Sequence, residues 1–306
     1  MKNILKLTAK WILIFFIISI FIFMIVRLLP VSPEKQWLSS YNMAHTKENI
    51  EIIREKMGLD KPLLAQYFYW IRNFLIGDWG YSLSTHVRIR YQFQEKILYS
   101  ITIGILGIVF AAFGSFFIGY RAAIKRGGFF DRFSAALAVI SQSVPSFITA
   151  IIIIYFFSVK LRLVRFFTGD AIYGMIAAIS IVAIYSLGVY SRIVLSAFRE
   201  EMSKSYIRFA VSRGMHPNKV LMRYASKPVL CKLIGAVIAN FAGVFGGSTV
   251  LEFAFGIPGI SLFLVDSMKK SDYNVLQTYI LVVVIWMFFV HLVLDFVLDR
   301  LDVRRR

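Results

Sequence analysis

The sequence predicts an all-α, polytopic membrane protein with six transmembrane helices, and three observations predict it. Hydrophobic residues make up 58% of the 306 residues and the mean hydropathy is +0.69, well above the roughly half-apolar usage of soluble domains. Six runs are apolar over the length needed to cross about 30 Å of hydrocarbon, about 20 helical residues each. Basic residues cluster in alternate connecting segments, as retention of Lys and Arg on the cytoplasmic side requires.

The first run, 11–29, contains Arg27 as its one charge. It is long for the apolar region of a cleaved signal and no small-x-small site follows, so it is expected to stay in place as the first span. The remaining runs cover 97–120, 133–159, 171–191, 233–251 and 273–294. Six spans put both termini on one side. Lys2, Lys6 and Lys10 in 1–10, Arg121, Lys125, Arg126 and Arg132 in 120–132, the basic stretch 192–232, and Arg300, Arg304, Arg305 and Arg306 in the tail 300–306 make that side the cytoplasm. Lys160, Arg162 and Arg165 in 158–170 fall outside under this topology and run against the majority.

Four segments follow from this reading: a cytoplasmic N-terminus with the first helix (1–29), an external segment with short helices (30–96), a five-helix core including a cytoplasmic loop (97–299, loop 199–228) and the tail 300–306. In the external segment, Thr46 is placed to cap a helix through ENIEIIREKM that Gly58 ends, and Pro62 opens a second helix, LLAQYFYWIRNFLIG. Its Tyr67, Phe68, Tyr69, Trp70 and Phe74 suit the bilayer interface or packing against the spans.

A net charge of +18 would suggest nucleic acid in a soluble protein. Here the charge is divided among loops on two membrane faces, so lipid headgroups and partner proteins are the expected counterparts and nucleic acid is not. Cys231 is the single cysteine, which excludes an internal disulfide and a multi-thiolate metal site. His45, His86, His216 and His291 are scattered and form no metal motif; no GxxxxGK[ST], HExxH or GxSxG occurs. Neither a cofactor nor a catalytic set is therefore expected in this chain. Charge inside the spans is confined to Arg27, Glu252 and Asp295 near their ends, which leaves little for a proton-driven carrier. Glycines recur in two spans: Gly104, Gly107, Gly114 and Gly119, and Gly235, Gly243, Gly246 and Gly247. Close helix packing explains both sets; Asn240, Ser248 and Thr249 also offer polar groups for a translocation path along the fifth run.

The loop 199–228 has an internal order that charge does not explain. Tyr206, Ala210 and Gly214 recur on one helical face beside Ile207, Gly214 can end that helix, and Pro217 can open another. A short helix with small residues on one side suits a socket in another protein.

SYIRFAVSRGMHPNKVLMRYA in this loop resembles the coupling loop of membrane permease subunits of binding-protein-dependent ATP-binding-cassette (ABC) importers, in their oligopeptide, dipeptide and nickel branch. The broad family pattern EAAxxxG aligns with Gly214 and Ala210, with Arg208 where Glu falls and Phe209 at the middle Ala. VRLLPVSP at 26–33, GLDKP and GDWGYS within 57–83, SVPSF at 143–147, VLEFAFGIPGIS at 250–261, SDYNVLQ at 271–277 and LDVRRR at 301–306 resemble further signatures of the branch. Val31, Ser32 and Val303 depart from it.

The resemblance implies a type I ABC importer permease fold. It also implies a homologous second permease subunit, two ATPase subunits that bind ATP and Mg, and an extracellular solute-binding protein. Tyr206, Ile207, Arg208, Ala210, Arg213 and Gly214 would form the ATPase-coupling helix, and the cargo would be a peptide, nickel or a metal chelate. The Ile-, Phe- and Lys-rich usage is compatible with a Gram-positive source. The alternative is a stand-alone secondary carrier or channel, which would need midplane ionisable or broken-helix sites.

Overall fold

The structure is a computed structural model that describes residues 2–28, 32–167, 171–241 and 249–301. Among the described residues it is all-helical apart from an isolated antiparallel bridge between Tyr81 and Arg88. In chain order the helices are α1 (Lys2–Leu28), α2 (Pro33–Ser40), α3 (Lys47–Lys56), α4 (Leu63–Leu75), α5 (Ile89–Ile124), α6 (Phe129–Ser143), α7 (Ser146–Ile154), α8 (Ile172–Met202), α9 (Ser205–Ser212), α10 (Pro217–Val220), α11 (Ser226–Phe241), α12 (Thr249–Phe255), α13 (Ile260–Lys269) and α14 (Tyr273–Leu301). Short π-helical turns at Tyr155–Lys160 and Leu221–Ala225 continue α7 and join α10 to α11. Among the described residues, segments of four helices, Thr8–Leu28, Ile89–Ile124, Ile172–Met202 and Tyr273–Val297, are long and apolar enough to cross a membrane. The number becomes six if α6 with α7 and its extension, and α12 with α13, each form one bent span.

One expected span differs from a straight rod. The run 133–159 is broken between α6 and the helix that starts at Ser146, which meet at 95°. Pro145 causes the break: it has no N–H to give the helix and drives Val144 to an extended conformation, φ −100° and ψ 117°. The Tyr185 hydroxyl donates to the freed Val144 carbonyl at 2.9 Å and lies 2.7 Å from Thr149 Oγ1, so the break is satisfied rather than frayed. The run 233–251 is helical to Phe241; residues 242–248, which include Gly243, Gly246, Gly247 and Ser248, lie outside the described residues, and α12 begins at Thr249. The second bent pair falls on 249–269, where a hydropathy window sees Gly256, Pro258 and Gly259 interrupting a shorter apolar stretch.

The chain divides into two compact units. In the unit of Met1–Leu98 with Ile260–Phe288, Thr46 caps α3 by accepting from Asn49 N at 3.2 Å, and Gly58 follows that helix at φ +65°, a left-handed conformation that favours glycine. Tyr67, Ile71 and Phe74 of α4 are buried with Ile22 and Phe23 of α1 and Leu281 of α14, while Phe68 and Tyr69 stay exposed. The aromatic helix thus packs against spans on one face and leaves the other free. Asp272, fully buried before α14, accepts from Ser82 Oγ at 2.5 Å and from Ser84 N and Oγ at 3.1 Å each, which ties the GDWGYS loop to SDYNV.

The unit of Tyr99–Gly259 with Phe289–Arg306 is organised on α8. Its buried positions, among them Gly174, Ala178, Ile181, Gly188, Ser191, Leu195, Phe198 and Glu201, follow helical periodicity along the whole rod. On α5, a Cβ on Gly107, Gly114 or Gly119 would fall 2.6 Å from Val182, Leu187 or Val194 of α8. Phe110, Phe113 and Phe117 on other faces of α5 are exposed. The α5 glycines therefore serve close packing, as the spacing predicts.

Candidate functional site

The loop 199–228 folds as a helical hairpin fastened to the end of α8. Ser203 and Lys204 N–H groups donate to Glu200 O and Glu201 O at 3.2 and 3.0 Å, closing the last turn before α9 starts. Glu201, 1% exposed, is the fastening: its carboxylate accepts from the Tyr206 hydroxyl and from the Lys204 ammonium. A buried carboxylate needs such donors. Ile207 inserts among Leu195 and Phe198 of α8 and Val220, Leu221 and Ala225 beyond it, and Ala210 and Met215 pack against the same cluster. Lys232 of α11 pairs with Glu200. Two consecutive glutamates at the end of α8 thus hold α9 on one side and α11, just beyond the loop, on the other.

What α9 presents outward is different from the small-residue face. Phe209 is 62% exposed and the Arg213 guanidinium lies over its ring, 5.2 Å from the centroid; Arg208 and Val211 are also exposed. Ile207 and Ala210 instead turn toward the chain's own core, and Tyr206, though partly exposed, reaches back to α8. Gly214 has φ +85°, with no atom within 4 Å of where a Cβ would stand. Its role here is conformational: it accepts the left-handed backbone that ends α9. Pro217 opens α10, where Asn218 N donates to His216 Nδ1 at 3.3 Å.

A second set of ion pairs ties α8 to α6. Asp131 accepts from Arg192 at 3.1 Å, from Arg199 at 2.9 Å and from Gly127 N at 2.9 Å. Sequence reasoning missed Asp131, Glu200, Glu201 and the exposed Phe209. The signal for the acids was present, because isolated carboxylates in strongly basic segments are placed to pair; reading the loops by net charge discarded it.

The path residues are placed as follows. Asn240 donates to the Tyr190 hydroxyl at 2.8 Å and so holds α11 to α8. Thr249 opens α12 and Ser248 lies outside the described residues. The signature VLEFAFGIPGIS has a buried polar centre instead: fully buried Glu252 accepts from Ser100 Oγ at 2.6 Å, and a Cβ on Gly259 would lie 2.3 Å from Glu252 Oε2. A side chain there would have to displace the Glu252 carboxylate and the Ser100 hydroxyl. Among the described residues no cluster of three or more His, Cys, Asp or Glu could hold a metal ion.

Residues 115–306 match the family described as binding-protein-dependent transport system inner membrane component, and residues 1–96 match the N-terminal part of such membrane components. A probable peptide ABC transporter permease protein of Sinorhizobium fredii is 28% identical over 99% of this chain and 98% of its own length. The glutathione transport system permease protein of Escherichia coli is 28% identical, covering 92% of this chain and 90% of its own. The dipeptide transport system permease protein of Bacillus subtilis is 26% identical, covering 95% and 94%. The family is one of transport permeases rather than enzymes, and its members work with a partner permease, ATPases and a binding protein. With a family match over more than half the chain and relatives aligned from end to end, this chain belongs to the inner-membrane permeases of ABC importers, in the peptide family.

Proposed function

We propose that this chain forms half of the translocation path of an ATP-driven peptide importer and that α9 is its coupling helix, docking in a cleft of an ATPase subunit. The observation that carries the reading is the two-sided construction of α9. One side is fastened to α8 through Glu201 and Ile207; the other exposes Phe209 beneath Arg213. An exposed aromatic stacked by a guanidinium is the kind of anchor that dominates protein interfaces.

When ATP closes the partner ATPases, a docked α9 moves with them. Because Glu201 and Ile207 leave it little independent freedom, the displacement passes to α8, and through Arg192, Arg199 and Asp131 to α6. Alternating access then draws its energy from the different affinities of the nucleotide states for one arrangement of the permease. ATP and Mg bind to the partner subunits. Arg208 and Arg213 serve as rim contacts, and both termini, with loop 199–228, lie in the cytoplasm as their basic charge requires. Peptides are the favoured cargo because the relatives' names specify peptide, dipeptide and glutathione.

The test is Phe209→Asp in the assembled transporter. The expected result is loss of ATPase co-purification and of ATP-driven dipeptide uptake, with the thermal melting of the permease itself unchanged because Phe209 is not in the core. Retention of both ATPase and uptake sinks the coupling assignment. Uptake by this chain with no ATPase present would instead establish the stand-alone carrier.

A further inference from the structure

A groove of about 840 Å³ opens within the unit of Met1–Leu98 with Ile260–Phe288, between α1, α2, α4, the loop around 78–86 and the start of α14. Two polar nitrogens in its walls, Gln277 Nε2 and His86 Nε2, are buried without a partner among the described residues. Gln277 is only 3% exposed, so bulk water does not serve it. Buried amide and imidazole nitrogens are nearly always hydrogen-bonded in native proteins, and an exception in the wall of a cavity marks a missing ligand or water.

Arg27 faces the same space. Its Nε and Nη2 donate to Gln66 Oε1 at 3.2 and 3.0 Å and its guanidinium carbon lies 4.4 Å from the Phe23 ring centroid, yet among the described residues no carboxylate pairs with it. The exposed Glu55, Lys56, Lys61 and Asp78 at the rim cancel in charge, and the Glu34 carboxylate acts on Arg27 through space without forming an ion pair with it among the described residues, so the guanidinium keeps a face for an anion. Apolar surface comes from a ladder of rings: Trp37 and Tyr41 stand 4.3 Å apart and Tyr41 and His86 3.9 Å apart, centroid to centroid.

A guanidinium, an amide donor and an imidazole around an aromatic-walled cavity match a ligand that carries a carboxylate on an apolar body. We propose that this groove binds the C-terminal end of a short peptide. Arg27 and Gln277 receive the carboxylate, His86 bonds the last peptide unit, and Trp37 and Tyr41 cover its side chains. An inorganic anion would use the cation and leave the rings idle. The proposal rests on peptide as the cargo class and adds a site in this chain, separate from the external binding protein, that selects for a free C-terminus.

The test is equilibrium binding of radiolabelled trileucine to the assembled transporter in lipid nanodiscs, without the binding protein, against its C-terminal amide and inorganic phosphate as competitors. The expected result is saturable binding of the free acid, with the amide about tenfold weaker, the effect of losing one charge-assisted contact. Arg27→Gln makes acid and amide bind alike, and Gln277→Leu weakens the acid about tenfold. Thermal melting establishes that both variants fold, and Arg27→Lys, which keeps the charge, restores part of the discrimination. Absence of saturable binding, equal affinity for acid and amide, displacement by phosphate as effective as by peptide, or variants indistinguishable from the parent each overturn the site. Peptide uptake by the complete transporter is measured in parallel: uptake without groove binding overturns this site alone, whereas no peptide uptake overturns the cargo assignment on which it stands.

Discussion

Replacing Glu201 separates the lever from the rod it is meant to move. In Glu201→Ala, the Tyr206 hydroxyl and the Lys204 ammonium lose their shared acceptor, and each hydrogen bond to a charged group is worth about 1.5–3 kcal/mol when its loss leaves a buried donor unpaired. The donors are not buried to that degree: the Lys204 side chain is 30% exposed and Tyr206 is 39% exposed, so water replaces much of what is lost. A net cost of about 2 kcal/mol for detaching α9 is the reasonable figure, which corresponds to about a thirtyfold rise in the detached population. Glu201→Gln keeps an acceptor for Tyr206 and loses the ion pair to Lys204, worth about 0.2–1 kcal/mol at a partly exposed site and at most about a fivefold rise. Hydrogen exchange of the amides of Ser205–Ser212 in the assembled transporter measures the difference directly. The expected order is Glu201→Ala about thirtyfold faster than the parent and Glu201→Gln within about fivefold. ATP consumed per peptide imported is expected to rise in the same order, since a loose lever hydrolyses without transmitting. Exchange in Glu201→Ala equal to the parent, or Glu201→Gln as fast as Glu201→Ala, refutes the fastening.

Gly214 and Gly119 test two different uses of glycine. At Gly214 there is room for a Cβ but the backbone is left-handed, so Gly214→Ala and Gly214→Arg are expected to cost the isolated permease the same amount, about 1–2 kcal/mol, in thermal melting, while only the Arg variant loses co-purifying ATPase; a large difference in melting between the two would point to a contact the geometry does not contain. At Gly119 the backbone is ordinary but Val194 would lie 2.6 Å and Ser191 O 2.9 Å from a Cβ. Gly119→Ala is expected to destabilise the detergent-solubilised permease by about 1–3 kcal/mol through overpacking, and an unchanged melting temperature would mean that α5 and α8 are not in close register.

Much of the fold could be read from the chain because its signals are local. Apolar length marks α1, α5, α8 and α14; Thr46 and Gly58 bound α3; Gly214 and Pro217 bound the helices of the loop, and each does so through backbone or capping chemistry that acts within a few residues. What a hydropathy window does not show is a bend, because it averages over the break. Pro145 splits the run 133–159 and the turn at 256–259 divides an apolar stretch into α12 and α13, although both motifs were visible as SVPSF and FGIPG. A window reports how apolar a stretch is and carries no information on direction.

The candidate site was legible to a different extent. Local residue chemistry was enough to place a short helix ended by Gly214 in loop 199–228, and the motifs along the chain were enough to mark it as a permease of a recognisable kind. Which face of that helix is free is set by packing against distant residues. Ile207 and Ala210 are turned inward because Phe198, Val220 and Leu221, residues up to 14 positions away, close over them, and Phe209 is left outside by the same packing. The partners of the acids were decided the same way: Asp131 finds Arg192 and Arg199, and Glu252 finds Ser100, across separations of 61, 68 and 152 residues. Capping and helix length are set by neighbours along the chain, whereas the pairing of buried charge depends on which distant segments meet, and that is fixed when the helices pack.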